Sequence, residues 1–74
     1  MNEKNEVKWC GSPNPKCDFC HDELKGLDFF VDGKTHPRGQ WGLMCPEDFE
    51  RYGMGLGTGR GQKYDGKTFI KVEG

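Results

Sequence analysis

Cys17 and Cys20 are separated by two residues, and Cys45 is separated by two from Asp48. Two cysteines at that spacing on a tight turn can aim both sulfurs at one ion. Thiolate and carboxylate are both established ligands of a small divalent cation. The chemistry on offer is therefore metal ligation. The fourth donor is open on sequence grounds. Asp48 has the spacing, and its alternative role is to place negative charge at a helix N-terminus. Cys10 has the softer atom, and soft thiolate outcompetes carboxylate for zinc. Its Cys-x6-Cys spacing to Cys17 is loose, although Gly11-Ser12-Pro13-Asn14-Pro15 permits a fold-back. The alternative role of Cys10 is a free thiol. His21 abuts Cys20, which makes joint ligation awkward, and His36 stands beside Pro37. Asp48 is favoured, with Cys10 as the competitor.

The chain needs such a site. Its 74 residues are 32% hydrophobic and 31% charged, with twelve glycines. So small a domain buries little apolar surface against the entropy of ordering its backbone, and it needs a staple. Four cysteines allow two disulfides, but Met1–Lys8 is charged and has no apolar run, so it does not read as a signal peptide. No segment is apolar for the roughly 18 residues of a membrane span. In a reducing compartment clustered cysteines are metal ligands.

The elements that must position the donors follow from local pattern. Residues 1–15 read as a flexible N-terminal arm, with Val7 and Trp9 as anchors. Residues 16–74 read as one metal-binding domain. Lys16–His21 is a compact turn, a knuckle. Leu27–Val31 is rich in β-branched and aromatic residues and reads as a strand. Asp32-Gly33 reads as a hairpin turn, with the return strand ending at Gln40–Met44. Trp41 and Phe29 or Phe30 are the expected core. Pro46 suits a first helical position, with Cys45 as N-cap and Gly53 as the stop. Cys45 and Asp48 then lie on one side of the first turn. Lys67–Val72 reads as a last strand.

Knuckle, hairpin, then ligands from a helix start is the order of a treble clef. The expected fold is a small α+β zinc-stabilised domain of that kind, with a glycine-rich segment (53–63) and a C-terminal strand. Four protein ligands leave no open coordination position. The expectation is one structural Zn2+ held by Cys17, Cys20, Cys45 and Asp48, and no catalytic residue.

Gly53, Gly55, Gly57, Gly59 and Gly61 alternate. In an extended strand they would form a stripe without side chains, open to a phosphate, a nucleic-acid strand or another part of the protein. Alternatively the segment is a loop with glycines where side chains would clash. It lacks the ending and preceding strand of a phosphate-binding P-loop. Net charge is −1, yet residues 51–74 carry Arg51, Arg60, Lys63, Lys67 and Lys71 against Asp65 and Glu73.

Cys17-x-x-Cys20, Trp41-Gly42-Leu43-Met44-Cys45-Pro46 and the run from Tyr52 to Tyr64 resemble a family of small, uncharacterised phage and prophage zinc-finger proteins. The likeness spans residues 16–64, and Gly-Leu-Gly-Thr-Gly-Arg-Gly-Gln-Lys-Tyr is its most specific part. Members carry a second Cys-x-x-Cys or Cys-x-x-His at the helix start, where this chain has Asp48. The resemblance implies a cytoplasmic protein of an infected bacterial host and no settled activity.

The functional expectation is a non-catalytic module contacting DNA or RNA. Arg51, Gly57, Thr58, Gly59, Arg60, Gln62, Lys63 and Tyr64 are the expected contacts, with Lys67 as a further cation. Tyr64, Tyr52 or Trp41 would stack on bases. A host or phage protein is the alternative partner. A treble-clef nuclease is the rival class, with His36 on the hairpin, although no partner histidine or asparagine follows on the helix.

Overall fold

A computed structural model describes residues 7–36 and 38–74. Four strands, β1 (Phe29–Lys34), β2 (Trp41–Met44), β3 (Gly61–Asp65) and β4 (Lys71–Glu73), form one antiparallel sheet in the order β2-β1-β3-β4. One short helix, α1 (Pro46–Tyr52), follows β2 directly.

The register of β1 sorts its side chains by face. Phe30 pairs with Tyr64 and Asp32 with both Leu43 and Gln62, so these share one face. Phe29, Val31 and Gly33 point to the other. Phe30 is fully buried and its ring stacks on Tyr64 at 5.5 Å. Trp9 stands edge-on to both rings, and Phe69 stands edge-on to Phe30. Leu24 and Cys17 complete this core. Edge and stacked arrangements of this kind suit the ring quadrupole and add to the area buried.

Trp9 thus takes the place expected of Trp41, which is 44% exposed. Trp41 pairs with Lys34 at the end of β1, beyond the reach of the core. The backbone N–H of Trp9 donates to Phe69 and that of Lys71 to Val7, which ties residues 7–9 beside the β4 end. Met1–Glu6 of the expected arm lie outside the described residues.

The hairpin turn is also displaced. Asp32 and Gly33 lie within β1, and the chain reverses at 35–40, closed by the Thr35 N–H donating to Gln40. Gly33 is required by packing instead. A Cβ there would lie 2.8 Å from both the Arg60 carbonyl and the Gly61 Cα. β1 accordingly runs past the expected Leu27–Val31. The last strand, by contrast, is shorter than expected. Gly66–Thr68 form a turn in which the Asp65 carboxylate accepts the Lys67 and Thr68 N–H groups.

The glycine ladder is not extended. Gly55, Gly57 and Gly59 have φ of +88°, +123° and +80°, and Gly57 bridges to Gly61 across a turn. A Cβ on Gly61 would meet the Gly55 carbonyl at 2.7 Å. The glycines therefore let this segment coil tightly against the sheet. α1 stops at Gly53 as expected, but with φ −67° rather than a left-handed turn. Its lack of a Cβ makes room for the Phe49 ring.

Candidate metal centre

Residues 15–24 build the knuckle. Leu24 N–H donates to Pro15 and Cys17 N–H to Asp22, forming a miniature hairpin. His21 N–H closes its turn on the Cys17 carbonyl, with His21 at φ +66°. The Phe19 N–H points at Cys17 Sγ, 3.5 Å away. The knuckle is clamped to β2 by Asp18. Its N–H donates to the Leu43 carbonyl, and its carboxylate accepts the Leu43 N–H at 2.7 Å. Gly42 is tight against that carboxylate, since a Cβ would come within 3.1 Å. Two residues after Leu43 the chain reaches Cys45.

Cys45 is the N-cap of α1 and Pro46 opens the helix. The Cys45 carbonyl accepts the Phe49 N–H, and its side chain makes no cap bond to the helix, which leaves it free to face the knuckle. Asp48, one turn on, is 7% exposed and is the buried charged residue of the helix. A carboxylate so enclosed requires compensating partners. Those present are two sulfurs: Cys17 Sγ lies 3.1 Å from Asp48 Oδ2 and Cys45 Sγ lies 3.3 Å from it. Cys20 Sγ lies 3.8 Å from Cys45 Sγ.

One ligand atom from each of Cys17, Cys20, Cys45 and Asp48 therefore falls within 4.8 Å of every other. A tetrahedral ion with sulfur legs of about 2.3 Å has sulfur–sulfur edges of about 3.8 Å. The donor set fits an ion of that size. It can hold one metal ion, with three ligands buried and Cys20 on the solvent side.

Electrostatics make the same point. The Cys17 thiol, donating to it, holds the Asp48 carboxyl below its ordinary value despite burial. Burial pushes the Cys45 thiol up, and the Asp48 carboxylate adds to this against its own backbone amide. For Cys20 the Asp22 backbone N–H favours the thiolate. Partial desolvation and the Cys17 and Cys45 sulfurs outweigh it and push the thiol up to about 12. Without a cation the Cys20 and Cys45 thiols hold their protons, because packing several negative groups together is costly. A divalent cation would supply the missing charge.

Cys10 is elsewhere. It is exposed, and its thiol donates to the Lys8 carbonyl at 3.2 Å. His36 is exposed on the 35–40 turn, where its Nδ1 accepts the Arg38 N–H. His21 is exposed beside the knuckle. All four cysteines are free of disulfides.

The expected partner-contact residues do not form one surface. Tyr64 is 5% exposed inside the aromatic core, so its ring cannot stack on a base. Lys63 lies 4.3 Å over the Phe29 ring, on the opposite face from Tyr64. Lys67 reaches Asp28 at 3.8 Å. Arg51 is on the last turn of α1, and Gly57, Thr58, Gly59 and Arg60 form the turn before β3. Sequence reasoning named Trp9 as an anchor of the arm but not as part of the core, and it missed Asp18. The turn-rich stretch that follows Trp9 concealed how firmly it is anchored, and the Asp18 clamp depends on β2, 25 residues away.

No protein-family model matches the chain, and no curated protein or solved structure matches it. Among the described residues no helix is long and apolar enough to cross a membrane.

Proposed function

We propose that Cys17, Cys20, Cys45 and Asp48 hold one structural zinc ion, and that the protein is a non-catalytic binding module built on it. The observation that carries this is the convergence of four donors from two separate elements, the knuckle and the start of α1, to within 4.8 Å of one another. Zinc suits a thiolate-rich tetrahedron and has no redox chemistry of its own. Four protein ligands leave no position for substrate. Knuckle, hairpin and helix-borne ligands are in treble-clef order, which is also the frame implied by the likeness to phage zinc-finger proteins. On that reading the protein works in the cytoplasm of an infected bacterium.

Nucleic acid is the favoured partner. The support is charge distribution: the stretches 33–46 and 51–64 contain no acidic residue and carry Lys34, Arg38, Arg51, Arg60 and Lys63. A protein partner is the second reading. It is favoured by the Phe19–Tyr52 pair, which stacks at 4.4 Å while both residues stay more than 40% exposed.

Metal analysis tests the proposal. Purified protein is expected to carry one zinc per chain, and cobalt substitution is expected to produce thiolate charge-transfer bands. Chelation is expected to unfold the domain, because metal binding and folding are coupled in such modules. A metal-free protein with the same fold would refute it.

A further inference from the structure

We infer that the end of the sheet formed by the 35–40 and 57–60 turns is a contact surface for single-stranded nucleic acid, with Trp41 as its stacking platform and Lys34, Arg38 and Arg60 as its phosphate contacts. The inference rests on the nucleic-acid reading above and narrows it to one end of the sheet, keeping the expected Trp41 and Arg60 and adding Lys34 and Arg38.

Three adjacent strands bring these groups together. Lys34, the last residue of β1, is the register partner of Trp41, the first of β2. Partners in register project from the same face. On the other side, the Lys34 N–H donates to the Arg60 carbonyl at 2.7 Å, so the turn before β3 sits against the same strand end. Arg38 is exposed on the turn that joins Lys34 to Trp41. No carboxylate belongs to either turn. Asp32, two residues before Lys34 on the same face of β1, and Asp18, one of whose carboxylate oxygens accepts the Leu43 N–H, are the acidic residues on the adjoining strand positions.

Trp41, 44% exposed, opposite Lys34 in register and outside the core cluster, lacks a structural explanation. Stacking on a base while cations meet the backbone would explain it, since every base has a π-face and every nucleotide a phosphate. Paired bases in a duplex hide their faces, so the arrangement fits single strands. Trp41 can do what the buried Tyr64 cannot.

The test measures binding of holo-protein to a fluorescent oligothymidylate, an oligouridylate and a DNA duplex at low salt. Zinc content and circular dichroism confirm the fold of each variant. Single strands are expected to bind more tightly than duplex, and the two single-stranded probes separate DNA from RNA. Trp41→Ala is expected to weaken single-strand binding roughly tenfold, the usual effect of losing one base stack. Combined Lys34→Ala, Arg38→Ala and Arg60→Ala is expected to flatten the log–log salt dependence by about 2, at about 0.7 per phosphate contact. Combined Lys63→Ala, Lys67→Ala and Lys71→Ala serves as the control and is expected to change it little. If only the control set abolishes binding, the surface is wrong while the nucleic-acid reading survives. Duplex binding at least as tight, indifferent to Trp41, overturns the stacking role. Failure of wild type to bind any of the probes overturns both readings and leaves a protein partner.

Discussion

Asp48 Oδ2 lies 3.1 Å from Cys17 Sγ, although 31 positions separate them. This contact joins the helix start to the knuckle and makes a Cys-x-x-Asp pair part of a four-donor cluster. Cys10, the softer candidate, plays no part in it.

Asp48→Ala is therefore expected to lower zinc affinity, whereas Cys10→Ser is expected to leave it unchanged. Structural zinc sites bind with about 10–16 kcal/mol, so one ligand of four is worth about 3 kcal/mol, or roughly a hundredfold. Competition with a chromophoric chelator measures both. A Cys10→Ser loss matching that of Asp48→Ala would reassign the fourth ligand.

Zinc binding is expected to release protons. Thiols bind as thiolates, and Asp48 is already held in its ionised form by Cys17. Near neutral pH the Cys20 and Cys45 thiols, which hold their protons in the metal-free fold, give them up on binding. Affinity thus rises with pH. Calorimetry in buffers of different ionisation enthalpy counts the protons, and a count near zero would contradict ligation by thiolates.

The two tryptophans are expected to differ sharply. Trp9→Ala removes a ring packed edge-on to Phe30 and Tyr64, at a cost of about 3–5 kcal/mol. Trp41→Ala stays within about 0.5 kcal/mol, as exposed substitutions do. Denaturation of the zinc-loaded protein compares them. Equal losses would place Trp41 in the core after all.

Gly33→Ala drives a methyl into backbone on the neighbouring strand and is expected to cost about 1–3 kcal/mol through overpacking. Were Asp32-Gly33 a hairpin turn, alanine would be opposed by φ instead, and the neighbouring strand would be unaffected. Amide exchange at Gly61 and Gln62 distinguishes the two, and faster exchange there is expected.

Asp32 gives the stability a pH dependence of known sign. Burial, and then the Asp18 charge, raise its carboxyl above the ordinary value of 3.8. The folded state therefore holds the proton more tightly than the unfolded chain. Stability is full below 3.8 and falls as pH rises through the raised value. Asp32→Asn is expected to raise the melting temperature at neutral pH, with the difference vanishing in acid. A melting temperature lowered at neutral pH would reverse the sign. Asp65 acts oppositely, since the Thr68 and Lys67 N–H groups lower its carboxyl. Its contribution is lost as pH falls through that lowered value.

What the sequence alone determined was local. Ligand types, the Cys-x-x-Cys knuckle, the Cys45-Pro46 helix start and the shared side of Cys45 and Asp48 all follow from spacings of a few residues, where helix and turn geometry leave little freedom. Tertiary structure decided the rest. Asp48 displaces Cys10 because the Asp18 clamp on Leu43 aims the knuckle at the helix. Trp9 displaces Trp41 because β1 runs on to Lys34, which places its partner Trp41 at the sheet's end. The glycines at 33 and 61 looked like turn and ladder because their need for a bare Cα arises only where two strands and a loop meet. Such contacts join residues far apart in the chain, and no local pattern carries them.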